Sequence, residues 1–591
     1  MRSLAFLYFV LLSILYTSIT PSYTQKERSP ASVLGMSCMD HANTIIMNRD
    51  WYYRSFSKLV NERKDLSVYY KDFKSAIDDF EKVKSEAMKS KVKLLKDGET
   101  SLAAKISLIR KAKSTLDISY YIFSDDEIGN LMLNELRKAV ARGVHVRVLI
   151  DSTTALNSNL YSDQFKALLK FRGPKANKKG KAEVVIFNNM FNPRKAVSSY
   201  INRTRNLFRS IDNKIPVNDS TINRRLHDKI ILMDAEDSKN SMAIIGGRNI
   251  ANEYHTLDSF KGDSFEFEDM DVLIKDTKDI RDRTQSLSLA TKIQTYYDKL
   301  FYHIGNNHLA NAIVGISRRT FRNEVKKMSR GSRKTLRNNP SFNKRLKELT
   351  ESDFFEEGFD SGLVRIVNEI QNIHSPWGRI KYEKVNELNP NSISKELWDL
   401  MSSAKSSIDL VTPYAHLTNK EVLFIQSWLK EDPKRRFRLV TSSLATNDTV
   451  ASQALIDNSL IPRLKSDPGV GPEQLQVFYY GKEDDLVLGG DKAYGKLHAK
   501  FAVFDDDKSI VMTSNLDPRS RSLNSEIGVS IQTKNIASEL TEKTEDIISM
   551  SHRHGDTEWE RMNSHPALRW KRLFSRFIYM ITETFNLERN I

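Results

Sequence analysis

A chain of 591 residues is long enough for two or more domains with substantial cores. With 40% hydrophobic and 28% charged residues it is a globular body and not a polytopic membrane protein. Its net charge of +16 favours an anionic partner, and both anionic lipid and nucleic acid qualify; a generally basic, soluble surface is the plain alternative. Cys38 stands alone, which excludes an internal disulfide and a cysteine metal cluster.

The N-terminus opens on Arg2 and an apolar run from Leu4 to about Tyr16, then turns polar. That run is short for a bilayer span and has the make-up of a signal-peptide core, with Ser22 and Thr24 as small residues ahead of Gln25. An uncleaved anchor is the alternative, and in either case the chain is expected to be exported. Residues 25–90, rich in charge with Trp51, Tyr52, Tyr53, Tyr69 and Tyr70 spaced among them, read as helical.

An α/β pattern follows. Leu102 to Ala112 suits a helix, Leu116 to Phe123 a buried strand, Ile128 to Ala141 a helix closed by Arg142-Gly143, and Val144 to Ile150 a strand entering Asp151. The second half repeats the layout: Lys405-Ser406-Ser407-Ile408-Asp409-Leu410 echoes Lys113-Ser114-Thr115-Leu116-Asp117-Ile118, with a helix from Glu421 to Lys430 and a strand from Phe437 to Val440 behind it. Strand–helix–strand order with short turns implies a mixed or parallel sheet flanked by helices. A repeat this long implies two related domains forming a pseudo-dimer within one chain, so no oligomer is required.

Between the halves, Arg318 to Lys347 is strongly basic, with Glu324 its one acidic residue and a break at Asn338-Asn339-Pro340. The expectation is a solvated helical connector, with a surface for acidic headgroups as the second reading. At the C-terminus Leu573, Phe574, Phe577, Ile578, Ile581 and Phe585 recur at helical spacing behind Trp570, with Lys571, Arg572 and Arg576 between them. This suits an interfacial membrane helix or an ordinary core-facing one. The expected division is 1–24 signal or anchor, 25–90 helical, 91–305 first α/β domain, 306–385 connector, 386–550 second α/β domain and 551–591 amphipathic tail.

The chemistry is carried by a repeated string. Leu226-His227-Asp228-Lys229 runs on to Asp234, and Leu497-His498-Ala499-Lys500 runs on to Asp505, each through an apolar strand-like segment. On an extended strand His227 and Lys229 share a face, as do His498 and Lys500. Asp234 and Asp505 fall at odd offsets, so within the catalytic set they are expected to brace the strand end or the opposite half-site. Each string is followed by a strand and an asparagine turn, Ala243 to Asn249 and Ile510 to Asn515, in which Gly247, Asn249, Thr513 and Asn515 are expected to bind a phosphoryl group. Asp269 and Glu526 then open apolar strands; a carboxylate on the distal nitrogen of each imidazole would fix its tautomer.

These residues resemble the phospholipase D superfamily, whose signature is a duplicated HxKxxxxD with a downstream glycine–asparagine turn. Stretches such as Gly246-Gly247-Arg248-Asn249-Ile250-Ala251-Asn252-Glu253-Tyr254 and Asn515-Leu516-Asp517-Pro518-Arg519-Ser520 are most similar to the bacterial cardiolipin synthase branch of the C type. Met512 departs from the pattern, standing where a glycine is usual, and so does the long gap between Asp234 and Gly246. The resemblance implies two phospholipase D-like sandwich domains and catalysis with no cofactor and no metal. It implies a phosphohistidine on His227, with His498 as acid/base and Lys229, Lys500, Asn249 and Asn515 on the phosphoryl oxygens. The expected reaction is phosphatidyl transfer between glycerophospholipids. An exported phospholipase D hydrolysing them to phosphatidic acid, a nuclease-type phosphodiesterase and a non-enzymatic basic scaffold are the alternatives. The expected partners are a phospholipid and an anionic membrane surface, in preference to nucleic acid. The expected location is the periplasm or membrane of a bacterial envelope, or outside the cell.

Overall fold

The computed structural model describes residues 87–152, 163–171, 180–187, 225–237, 240–255, 257–258, 267–276, 288–301, 306–308, 317–369, 389–447, 449–481 and 495–585. The apolar run and nearly all of the aromatic-rich segment expected to be helical lie outside these residues. Where that segment enters the described chain it is already a strand, β1 (Met88–Leu95).

In the first half α1 (Gly98–Lys111) starts at Asp97, whose side chain accepts from Thr100 N. After β2 (Thr115–Tyr120), α2 (Glu127–Arg142) starts at Asp126 and ends at Gly143, whose φ of 108° is a left-handed cap open to glycine. There follow β3 (His145–Asp151), β4 (Lys181–Phe187), β5 (Lys229–Met233), β6 (Met242–Gly246), β7 (Phe267–Glu268), β8 (Asp271–Lys275), α3 (Leu289–Phe301) and β9 (Asn307–His308). The basic segment forms α4 (Arg318–Asn338) and α5 (Pro340–Glu351).

The second half opens with β10 (Asp360–Glu369) and α6 (Ile393–Ser403), then β11 (Ser407–Val411) and α7 (Asn419–Glu431), which begins with a reciprocal Thr418–Glu421 capping box. It continues through β12 (Arg436–Ser442), α8 (Val450–Leu455), β13 (Leu475–Tyr480), β14 (Lys496–Leu497), β15 (Phe501–Phe504), β16 (Lys508–Met512), β17 (Glu526–Gln532), α9 (Lys534–Ser549), β18 (Ser551–Arg553) and α10 (Arg569–Phe585).

Among the described residues sixteen strands form one sheet, in the order β18-β13-β12-β11-β15-β16-β17-β10-β1-β8-β6-β5-β2-β3-β4-β9. The two halves mirror each other about the β10–β1 junction, with β17 answering β8, β16 answering β6, β15 answering β5 and β11 answering β2. This is the intrachain pseudo-dimer expected from the repeat, and β1 and β10 pair antiparallel at its axis. One apolar cluster runs through both halves beneath α3 and α9. The opposite face of each half has its own core.

The expected boundaries need three corrections. β10 lies inside the span assigned to a connector, yet it is a fully paired strand of the second half. The basic helices are not solvated: Met328, Phe342, Leu346 and Leu349 are buried in the first-half core, so α4 and α5 cover it and turn only their charged faces outward. The second half also continues past residue 550, because β18 pairs with β13.

Candidate active site

The histidines do not sit on the strands themselves but on extended lead-ins, two residues ahead of β5 for His227 and three ahead of β15 for His498. Each lead-in is held by the other half of the chain. β14, just before His498, pairs in parallel with β7, just before Asp269. Leu226 makes the matching bridge with Ser525, just before Glu526. His227 N donates to Ser525 O at 3.1 Å and His498 N donates to Glu268 O at 2.8 Å. Asp151, at the end of β3, steadies the first lead-in by accepting from Leu226 N at 2.8 Å.

This crossing carries the carboxylates with it. His227 Nδ1 lies 2.8 Å from Glu526 Oε2, and His498 Nδ1 lies 2.6 Å from Asp269 Oδ2. Each imidazole is therefore oriented by the opposite half. The carboxylates are supported differently. Thr513 Oγ1 donates to Glu526 Oε2 at 2.6 Å. The corresponding residue over Asp269 is Gly247, where an added Cβ would stand 1.9 Å from Asp269 Oδ1, so glycine is required by the carboxylate and not by a turn. Rings close in on both imidazoles edge-on: Tyr121 on His227 at 5.0 Å, and Tyr254 and Phe267 on His498 at 5.1 and 5.2 Å between centroids.

Burial dominates the electrostatics. It holds the His227 imidazolium well below its ordinary range, and the Lys229 and Lys500 ammonium groups press in the same direction. Burial raises Glu526 to about 7 against the pull of Lys229, and raises Asp269 to about 6 against Lys500 and Arg248. Burial lowers Lys229 to about 8, opposed by Glu526 and Asp269. A neutral His227 then donates from Nδ1 to Glu526 and presents an unprotonated Nε2. Lys500, Lys229 and both carboxylates act on one another from different halves, which makes this one site.

The motif residues divide into two groups. Lys229 and Lys500 stay beside their histidines, each donating back to the histidine backbone carbonyl, Lys229 Nζ to His227 O at 2.7 Å and Lys500 Nζ to His498 O. Asp234 and Asp505 leave the site altogether. Asp234 accepts from the N–H groups of Lys113, Ser114 and Thr115 and from the Ser114 hydroxyl, at the start of β2. Asp505 does the same for Lys405, Ser406 and Ser407 at the start of β11. Lys229 pairs with Tyr120 at the far end of β2, roughly 15 Å away at the rise of an extended strand. Their place in the catalytic set is thus corrected to bracing a strand end in their own half.

The phosphoryl binders also need revision. The Thr513 hydroxyl is committed to Glu526. Asn249 Oδ1 accepts from Ile122 N at 3.1 Å, leaving buried Nδ2 without a partner among the described residues and available as a donor. Asn515 Nδ2 donates to Asp517 Oδ2 at 3.3 Å. Met512 does not disturb the turn: β16 sets it against Gly528, while in the first half Gly246 faces Asp271, so the small residue has changed strands. Asp517 and Arg519, which stand in the stretch that carries the resemblance but were assigned no role, both bear on His227 through their charges; Tyr296, without any local signal, reaches Asp228 and the Glu526 carbonyl from α3.

A duplicated α/β body that crosses two carboxylate-held histidines and two lysines into one buried site defines an enzyme of the phospholipase D superfamily. The family model described as "Cardiolipin synthase, PLD-like domain" matches residues 106–280 and 397–548, and the chain belongs to that family. It is 23% identical over 462 residues to cardiolipin synthase C of Escherichia coli (strain K12), spanning 74% of this chain and 80% of that protein. It is also 23% identical over 466 residues to a cardiolipin synthase of Staphylococcus aureus (strain Mu50 / ATCC 700699), spanning 78% of this chain and 67% of that protein. The crystal structure of phosphatidylserine synthase from Haemophilus influenzae Rd KW20 shares the fold, with a TM-score of 0.54 at 16% identity over 88% of this chain and 99% of that one.

Proposed function

We propose that this enzyme transfers a phosphatidyl group from one glycerophospholipid to the alcohol of another, giving cardiolipin or a relative. The observation that carries the reading is the crossed pair of histidines, each with its Nδ1 on a carboxylate. His227 Nε2 attacks phosphorus and forms a phosphohistidine as the P–O bond to the leaving alcohol breaks, and His498 protonates that alcohol. The acceptor alcohol then gives its proton to His498 and displaces His227. Lys229, Lys500 and the free Asn249 amide hold the phosphoryl oxygens.

The substrate side is an anionic membrane surface. α10 packs on α8 through Ser575, Ile578 and Thr582 and turns Trp570, Leu573, Phe577 and Met580 to solvent, 80%, 48%, 45% and 55% exposed. Their spacing of three, four and three residues makes one apolar stripe, with exposed Arg569 and Arg576 beside it. Export by the N-terminal apolar run would bring this surface to the envelope. Incubation of purified protein with phosphatidylglycerol vesicles, alone and with phosphatidylethanolamine, tests the reaction. A diphosphatidyl product is expected; release of phosphatidic acid alone would replace the transferase by a hydrolase. Deletion of 570–591 is expected to abolish vesicle binding, and cleavage of DNA would redirect the reading to a nuclease.

A further inference from the structure

Asp228 lies between His227 and Lys229, wholly buried, and has no counterpart in the second motif, where Ala499 stands. Its carboxyl group spans two elements. Oδ1 is 2.6 Å from the Tyr296 hydroxyl on α3, and Oδ2 takes a hydrogen bond from the Ser525 hydroxyl. Ser525 is the residue whose backbone bridges to the His227 lead-in, and it immediately precedes Glu526. The Tyr296 oxygen is also 2.9 Å from the Glu526 carbonyl oxygen.

Counting protons points to the state of this group. Tyr296 has one hydroxyl proton and touches two oxygens, and the carbonyl has none to give. An ionised Asp228 would leave one proton shared between two acceptors, whereas the neutral acid gives each contact a proton of its own, Asp228 donating to the Tyr296 oxygen while Tyr296 donates to the carbonyl. Burial raises Asp228 to about 7, with Glu526 pressing the same way and Ser525, Tyr296 and Lys229 opposing.

We propose that Asp228 is the positioning residue of the His227 half-site: as the neutral acid it ties Tyr296 and Ser525 together, and so locks the Glu526 carboxylate onto Nδ1 of His227. Beside His498 stands Ala499, which has no carboxyl group, and the lead-in there is tied to α9 by a different pair, Lys543 on Glu268 at 2.7 Å. His227 is thereby kept in one tautomer, as a nucleophile needs. This inference rests on the phosphohistidine reading above and adds to it what holds the nucleophile's tautomer.

The test uses the full chain labelled with 15N-histidine, with the His227 signals assigned from the His227→Gln protein. Wild type is expected to show a single Nδ1–H tautomer for His227 between pH 6 and 7, and Asp228→Ala a mixture of tautomers. Asp228→Asn, whose amide can still donate to Tyr296 and accept from Ser525, is expected to restore the wild-type spectrum. With bis(p-nitrophenyl) phosphate as a plain diester, kcat is expected to fall about tenfold in Asp228→Ala with KM unchanged, and to recover in Asp228→Asn. Tyr296→Phe keeps the ring and removes the bridge, so it should move the tautomer in the same direction even if Asp228→Ala folds poorly. An unchanged His227 tautomer in both Asp228→Ala and Tyr296→Phe overturns the proposal. So does an Asp228→Asn protein as impaired as Asp228→Ala, because the ionised carboxylate would then be the working form. Absence of diester turnover by wild type would count against the phosphohistidine reading, while the tautomer measurement still decides the role of Asp228.

Discussion

In the first half Gly246 faces Asp271, and that carboxylate is buried with Lys105, Ser101 and Arg248 around it. In the second half Met512 faces Gly528 in the same register, and the space is filled by Val367 and Ile393. One half has an ionic interior at this level and the other an apolar one. Both nevertheless deliver a histidine to a carboxylate across the axis. Common to the two are the aspartate that caps the first strand and the arginine beneath it: Arg147 is bidentate to Asp117 and reaches Asp298, and Arg438 is bidentate to Asp409 and reaches Glu545. What recurs is therefore the apparatus that sets strand ends and register. What differs is the filling, which needs only compatible volume and paired charge.

The comparison breaks most sharply at the histidines. His227→Ala and His498→Ala should each lower product formation by at least about a thousandfold, and the double variant should be no worse than either, because a step that needs both loses everything with one. If His498→Ala retains a 32P-labelled His227, the assigned roles hold; label confined to His498 in the His227→Ala protein would exchange them.

Next come the crossed carboxylates. Glu526→Gln and Asp269→Asn should each cost about a hundredfold in kcat. They should also raise Tm by about 2–4 °C at pH 8. The sign follows from folded values raised above the unfolded ones: these acids favour the folded state at low pH, and that contribution is lost as pH rises through about 6 for Asp269 and about 7 for Glu526. The Tm gain should vanish at pH 4, and a gain that persists there would point to a packing effect.

The supports of those carboxylates should separate the halves. Gly247→Ala drives a methyl into Asp269 and should cost about a hundredfold, whereas Thr513→Ala removes one hydrogen bond to Glu526 and should cost about tenfold. Equal losses in steady-state assays would mean that the two supports are not the distinct devices described.

The strand-end aspartates should act on stability and not on chemistry. Asp234→Ala should cost about 3 kcal/mol in urea unfolding, and Asp505→Ala, whose carboxylate is more exposed, about 1 kcal/mol, with kcat of the folded fraction within about threefold of wild type in both. Smallest of all is the alkaline limb: activity should fall about twofold as pH rises through 8, where Lys229 loses its proton.

Several features of this protein were legible without a fold. The duplication, the paired motif, the helix stop at Gly143 and the strands around Asp117 and Asp409 follow from local chemistry: hydrophobic period, a left-handed glycine and repeated residue order. The basic segment misled because its composition is dominated by the charged face of α4 and α5, while Met328, Phe342 and Leu346, too sparse to stand out, fix its place in the core. Met512 looked like a defect because a single strand cannot show that the missing glycine sits across the ladder at Gly528.

The sequence by itself determined which side chains are the candidates for the chemistry, because a histidine and a lysine two residues apart keep their relative placement on any extended segment. Only the tertiary structure decided who partners whom. Glu526 serves His227, Asp269 serves His498, and Asp234 and Asp505 serve neither. Those choices depend on antiparallel pairing of β1 with β10 at the axis and on two short crossed bridges. Such contacts join residues hundreds of positions apart, and no local periodicity encodes them.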